Sequence, residues 1–207
     1  AGISGVYAYP GTPSTEITEY IQESKQAKED KVRSLWSANE KTAMETAIGM
    51  SYAGKRALVC MKHVGLNVAA DPLMTLAYVG VKGGMVIINA DDPSLFSSQN
   101  EQDNRYYARL AGMPLLEPTN VQEMKDVTAR AFELSEEINN VVMVRSVTRL
   151  SHASGNVLFG KLPSIEKKAF FQHGGFILDP MEGPMSSLPA PFRHERQQVK
   201  LKQVIAD

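Results

Sequence analysis

Four short polar stretches hold most of the residues able to do chemistry in this chain of 207 residues. Pro10-Gly11-Thr12-Pro13-Ser14 sets two hydroxyls on a tight corner. Ser37-Ala38-Asn39-Glu40 ends in a carboxylate. Lys62-His63-Val64-Gly65-Leu66-Asn67 carries a cation, an imidazole and an amide. Residues 90–104 carry the pair Asp91-Asp92 and then a polar run that includes Gln99 and Asn100. A carboxylate, an imidazole and hydroxyls brought together suit general acid–base work. Glycines beside them, Gly11 and Gly65, let backbone come close to a ligand. Each group has a plainer use as well. Ser37-x-x-Glu40 has the form of a capping box, in which the glutamate only closes a helix terminus. Thr12 precedes Pro13 as an N-cap would, and that same place offers free N–H groups and a favourable dipole to an anion. Asp91-Asp92-Pro93 has the composition of a turn. A lone histidine such as His63 is more often a surface residue than a ligand.

Other chemistries leave no trace. There is no G-x-x-x-x-G-K-[ST], no G-x-G-x-x-G after a strand and no G-x-S-x-G. His63, His152, His173 and His194 show no metal-ligand spacing. The single Cys60 makes no internal disulfide, and an iron–sulfur cluster takes about four thiolates. A cytoplasmic setting fits. Lys+Arg is 22 and Asp+Glu 23, a formal charge of −1, which points to neither nucleic acid nor a membrane surface. No apolar run approaches membrane-spanning length.

The stretches need elements to position them. Apolar runs at 6–9, 32–36, 57–61, 85–89, 115–116 and 141–145 read as strands. They are continuous rather than alternating, as for strands covered on both faces. Helices are expected over 13–26 behind Thr12, from the Ser37 box to residue 53 with Gly54 just beyond, over 70–78 and over 105–111. A further box at Thr119-x-x-Gln122 opens a helix to 138. Residues 62–67 read as a loop. Cys60 and the set Met44, Met50, Met61, Met74 and Met85 read as core. Alternating strands and helices predict an α/β domain over residues 1–150, a doubly wound, mainly parallel sheet with helices on both faces. Ligands of such sheets sit beyond the carboxyl ends of the strands, where all four stretches fall. Residues 151–207, broken by Pro163, Pro180, Pro184, Pro189 and Pro191, read as an arm or linker with a C-terminal helix over 192–205. The opening residues look like the end of a helix that starts upstream.

Three stretches carry a resemblance. "YAYPGTPSTEI", "NEKTAMETAIGMSYAGKRALVCMKHVGLNVAADPLMTLAYVGVKGG" and "ADDPSLFSSQNEQDNRYYARLAGMPLLEP" resemble the pyrimidine-binding domain of thiamine-diphosphate-dependent 2-oxoacid:ferredoxin oxidoreductases. Within that superfamily, "KHVGLNVAADPLMTLAY" and "SSQNEQDNRYYAR" resemble the alpha subunit of indolepyruvate:ferredoxin oxidoreductase. The likeness is close over about residues 1–155 and looser beyond.

The resemblance implies a thiamine-diphosphate-binding fold. It implies oxidative decarboxylation of an aryl-pyruvate to the acyl-coenzyme A, with ferredoxin as electron acceptor. Glu40 and Thr12 would be catalytic, the carboxyl group of Glu40 shifting the aminopyrimidine toward its imino form. Pro10, Gly11, Thr12, Glu40, His63, Val64, Gly65 and Asn67 would line the cofactor. His63, Asp91, Gln99 and Asn100 would meet substrate or a facing domain. The cofactor would be shared with a missing diphosphate-binding domain, whose Gly-Asp-Gly motif does not occur here. Magnesium and iron–sulfur clusters would belong to the intact enzyme, and a beta subunit would complete it. Homodimer formation through the Ala43/Ala47 helix face is a further expectation. A non-catalytic assembly module of the same fold, or a relative acting on another 2-oxoacid such as pyruvate, stands as the alternative.

Overall fold

A computed structural model describes residues 1–160 and 190–206. Strands β1 (Gly5–Ala8), β2 (Arg33–Trp36), β3 (Ala57–Lys62), β4 (Met85–Asp91), β5 (Leu115–Leu116) and β6 (Val142–Val147) form one sheet, with every pairing parallel. Helices α1 (Thr15–Glu23), α2 (Lys25–Glu29), α3 (Glu40–Tyr52), α4 (His63–Val68), α5 (Ala70–Val79), α6 (Arg105–Ala111), α7 (Val121–Ile138), α8 (Thr148–Ser151) and α9 (Ala190–Ala206) connect and cover it. The strand order is β2-β1-β3-β4-β6-β5. The chain turns outward from β1 to β2 and then returns to place β3 on the other side of β1. The β1/β3 junction is therefore the point at which ligands of this architecture sit.

The apolar runs become strands because both sheet faces are buried. Tyr7, Val59, Met61, Met85, Ile87 and Met143 point to one face, where Ala43, Met44 and Ala47 of α3 and Leu73 and Leu76 of α5 meet them. Val6, Ala8, Leu58, Cys60, Val86, Ile88 and Val144 point to the other, against Ala131, Phe132, Leu134 and Ile138 of α7. Burying a side chain such as Phe132 contributes about 2–3 kcal/mol. Cys60 is fully buried, and burial pushes its thiol well above the ordinary range. β2 departs from the expectation of double cover. It is an edge strand whose Leu35 and Trp36 remain partly exposed.

Several boundaries differ from those the sequence predicts. The helix expected over 13–26 starts at Thr15 and breaks at Ser24, whose side chain accepts from Ala27 N and starts α2 afresh. Thr12 is not its cap. Ser14 holds the N-cap position, and the corner is closed by Ser14 N and Oγ donating to Gly11 O at 2.8 and 2.7 Å. The Thr12–Pro13 peptide is cis. At α3 the cap is Asn39 rather than Ser37; its Oδ1 accepts from Thr42 N at 2.9 Å, so no Ser37/Glu40 box forms. At α7 the cap is Asn120 rather than Thr119, and the carboxylate that turns back is Glu123, not Gln122. Of residues 62–67, expected as loop, all except Lys62 belong to α4 (His63–Val68). Ala43 and Ala47 face this chain's own sheet at zero exposure, so that face is unavailable for dimer formation. The proline-rich span 161–189 lies outside the described residues.

At the amino edge of the sheet, α9 closes the C-terminal ends of other helices. Gln197 donates to the carbonyls of Ala111 and Gly112, and Lys200 donates to Asn139 O at 2.6 Å. These carbonyls belong to the last turns of α6 and α7, which have no partners within their own helices.

Candidate functional site

The site sits at the carboxyl edge, over the β1/β3 junction. Glu40 is the first residue of α3, where the helix dipole favours negative charge. It is 7% exposed, and no donor lies within hydrogen-bond distance of its carboxylate among the described residues. Gly65 of α4 lies directly against it. A Cβ added there would stand 2.6 Å from Glu40 Oε1 and 2.7 Å from its Cγ. Only glycine leaves the carboxylate its place. The Pro10–Thr12 corner forms the next side. A Cβ on Gly11 would stand 2.9 Å from Lys62 Cδ, so the end of β3 and the corner touch. Gly11 N donates to Thr15 Oγ1 at 2.8 Å, which rigidifies the corner and leaves the half-buried Thr12 hydroxyl uncommitted.

His63 is wholly buried. Its Nε2 lies 3.0 Å from Asn100 O and 3.1 Å from Asn100 Oδ1. Both are acceptors, so Nε2 carries the proton and donates. Nδ1 is buried without a partner. The imidazole therefore fastens the long loop to α4 and does not reach the surface. Asn67 does similar work. It exchanges two amide hydrogen bonds with Gln102, each 2.9 Å, and accepts from Tyr107 at 2.6 Å. Val64 is half-buried beside Gly65 on α4, Pro10 is exposed on the corner, and Gln99 is exposed with no partner among the described residues.

Asp91 goes elsewhere. Its Oδ2 accepts from Arg145 Nε at 2.6 Å and from Asn104 N at 3.1 Å, and its Oδ1 accepts from Asn89 at 2.6 Å. Arg145 also binds Glu117. Asp92 is as fully committed. Burial works to raise its pKa, but hydrogen bonds from Ser98, Thr148 and the backbone of Ser97 and Phe96 outweigh it and hold the carboxyl at about 2. Residues 92–104 are thus an ordered loop, tied at both ends and in the middle.

Gly65 meets Glu40, and Gly11 meets the stem of Lys62 at the N-cap of the same helix, with Thr12, Val64 and Pro10 adjacent in the chain. His63, Asn67 and Asn100 support that place from behind, and Asp91 joins a separate buried network. Sequence reasoning missed Lys62, Asn89, Gln102, Asn104 and Arg145. For two of them a signal existed: Arg145 and Asn89 interrupt otherwise apolar strands, and a polar side chain there needs a buried partner. Among the described residues no group of three His, Cys, Asp or Glu side chains could hold a metal ion, and no helix is long and apolar enough to cross a membrane.

A family model described as pyruvate flavodoxin/ferredoxin oxidoreductase, thiamine diphosphate-binding, matches residues 1–173. The chain belongs to this family. Two curated relatives carry the name indolepyruvate oxidoreductase subunit IorA. The one from Archaeoglobus fulgidus is 54% identical over 168 residues, 80% of this chain and 27% of its own length. The one from Pyrococcus horikoshii is 50% identical over 180 residues, 86% of this chain and 28% of its own length. The chain thus spans little more than a quarter of the length of these two relatives. Among solved structures, a 2-oxoglutarate:ferredoxin oxidoreductase from Magnetococcus marinus, with 2-oxoglutarate, coenzyme A and succinyl-CoA bound, aligns over 99% of this chain and 42% of its own. Its TM-score is 0.75 at 16% identity, a likeness of fold. The family's thiamine-diphosphate-binding α/β fold is therefore the fold described above, and the indolepyruvate oxidoreductases are the branch to which the sequence is similar.

Proposed function

We propose that this chain is the aminopyrimidine-binding part of a thiamine-diphosphate-dependent enzyme. The enzyme oxidatively decarboxylates an aryl-pyruvate, indolepyruvate foremost, to the acyl-coenzyme A and carbon dioxide, and passes an electron pair to ferredoxin. The observation that carries this reading is Glu40. The residue is 7% exposed, yet its carboxylate has no hydrogen-bond partner among the described residues and is free to meet one that a ligand supplies. A ring nitrogen of the aminopyrimidine is a suitable partner, and Gly65 leaves room beside it.

When bound, thiamine diphosphate supplies the stabilisation of negative charge that decarboxylation needs. The chain's own residues do the rest. Glu40 holds or releases a proton at the ring nitrogen and so sets the ring's tautomer. Thr12 offers its hydroxyl to the reacting end. Pro10, Gly11, Val64 and Gly65 wall the site and exclude water. His63, Asn67 and Asn100 hold the wall in place, and Gln99 faces a neighbouring domain. Residues 1–150 are the binding domain and 151–207 an arm toward the next part of the protein. The magnesium and iron–sulfur clusters, the diphosphate-binding domain, a beta subunit and a homodimeric, cytoplasmic assembly belong to the intact enzyme.

The test is ferredoxin reduction by the intact protein with coenzyme A and thiamine diphosphate, offered indolepyruvate, phenylpyruvate and pyruvate in turn. Cofactor-dependent turnover, fastest with an aryl substrate, is expected. Absence of turnover with every 2-oxoacid would overturn the reading.

A further inference from the structure

We propose that Lys62 is the anion-binding residue of the site and takes the carboxylate of the 2-oxoacid, an assignment that rests on the reading above. Lys62 ends β3 and occupies the N-cap position of α4. Its aliphatic stem lies against Gly11, which fixes the direction of the side chain across the corner. Its ammonium donates to Ser97 O at 2.9 Å, a neutral acceptor.

No carboxylate lies within ion-pair distance of it among the described residues. Neighbouring cations are differently placed. Lys41 meets Asp71 at 2.9 Å, Arg105 meets Asp103 at 2.6 Å and Arg145 meets Asp91 at 2.6 Å. Lys62 is half-buried and keeps N–H donors to spare. Three residues further on, Gly65 carries the Glu40 carboxylate. Lys62 is the extended N-cap of the helix that carries Gly65. The Lys62 stem thus borders the Pro10–Thr12 corner, and the helix it caps borders Glu40 through Gly65.

The geometry favours the substrate's carboxylate over a phosphate. In a 2-oxoacid the carboxylate is one bond from the reacting carbonyl carbon, so its cation must stand near the reacting end, on the side of the Pro10–Thr12 corner against which the Lys62 stem lies. The phosphates of coenzyme A lie far from its reacting thiol. The carboxylate also leaves as carbon dioxide, so a cation that gripped it too tightly would stabilise the ground state and slow the reaction. A single ammonium shared with a backbone carbonyl gives a moderate hold, placed on binding rather than on turnover.

The experiment uses the intact protein and the variants Lys62→Gln and Lys62→Ala. Gln keeps an N–H donor for Ser97 O but has no charge. KM and kcat are measured for phenylpyruvate and KM for coenzyme A. Binding of 3-phenylpropionate and of its neutral amide is measured by titration calorimetry, and each variant's melting temperature is checked. Both variants are expected to raise KM for phenylpyruvate about ten- to a hundredfold. In both, the preference for acid over amide should vanish and KM for coenzyme A should stay level. A wild-type KM in Lys62→Gln would overturn the assignment and leave Lys62 a tie for the loop. A raised KM for coenzyme A, or a preserved preference for the acid, would overturn it too. Absence of turnover in the wild-type protein would overturn the functional reading, and this assignment with it.

Discussion

Glu40 and Asp91 are both buried carboxylates at the carboxyl edge of one sheet, and they differ in what their oxygens touch. Asp91 meets an arginine, an asparagine side chain and a backbone N–H. Glu40 meets nothing among the described residues except the space left by a glycine. Asp91 stabilises the end of β4 and the start of α6, and its chemistry is already spent. Glu40 keeps its chemistry in reserve at a helix N-terminus. Burial alone does not separate a structural acid from a functional one; the state of its partners does.

The largest effect is expected at Glu40. Glu40→Gln in the intact protein should lower turnover about a thousandfold, within the span expected when a positioned proton donor or acceptor is lost. The melting temperature should hardly move. Near-normal ferredoxin reduction by this variant would erase the distinction drawn here. Asp91→Asn should do the reverse. It leaves Arg145 buried beside a neutral amide, and amides along β4 should lose about 3 kcal/mol of protection against hydrogen exchange. A loss of activity with unchanged exchange would put Asp91 in the site instead.

Gly65→Ala sharpens the contrast, because its two effects have opposite signs. Alanine suits a helix better by up to about 1 kcal/mol, so stability should hold or rise. The added methyl would displace the Glu40 carboxylate, and turnover should fall at least about tenfold. The smallest effect concerns Asp92. Its carboxyl is held at about 2 in the folded chain, below its ordinary 3.8. The stabilisation is therefore complete above about pH 4 and is lost as pH falls through about 2. Asp92→Asn should flatten that part of an acid-unfolding curve, whereas Glu23→Gln on the exposed side of α1 should not.

The strands were legible because a strand covered on both faces must be apolar throughout. That rule picks out β1, β3, β4 and β6 with nearly their true bounds. The caps were not legible at single-residue precision. In Ser37-Ala38-Asn39-Glu40, both Ser37 and Asn39 can cap, and only tertiary packing decides. Asn39 caps, so Glu40 moves to the first helical position, free of the box that would have occupied it. Helix α4 was hidden because a short segment with a central glycine has weak propensity and is held by its packing. The Arg145–Asp91 pair spans 54 residues of sequence, and nothing local to either residue announces the other. Glu40, Thr12 and Gly65 came from family likeness to motifs, and the structure adds which oxygen atoms are still free.

Helix α9 implies an order of events. Gln197 closes carbonyls 86 and 85 residues earlier in the chain, and Lys200 one 61 residues earlier. On the ribosome, α6 and α7 emerge before the segment that finishes them. At roughly 5–20 residues per second, the end of α7 and the start of α9 are separated by seconds. For that interval the carbonyls of Ala111, Gly112 and Asn139 lack the side-chain donors that Gln197 and Lys200 later supply.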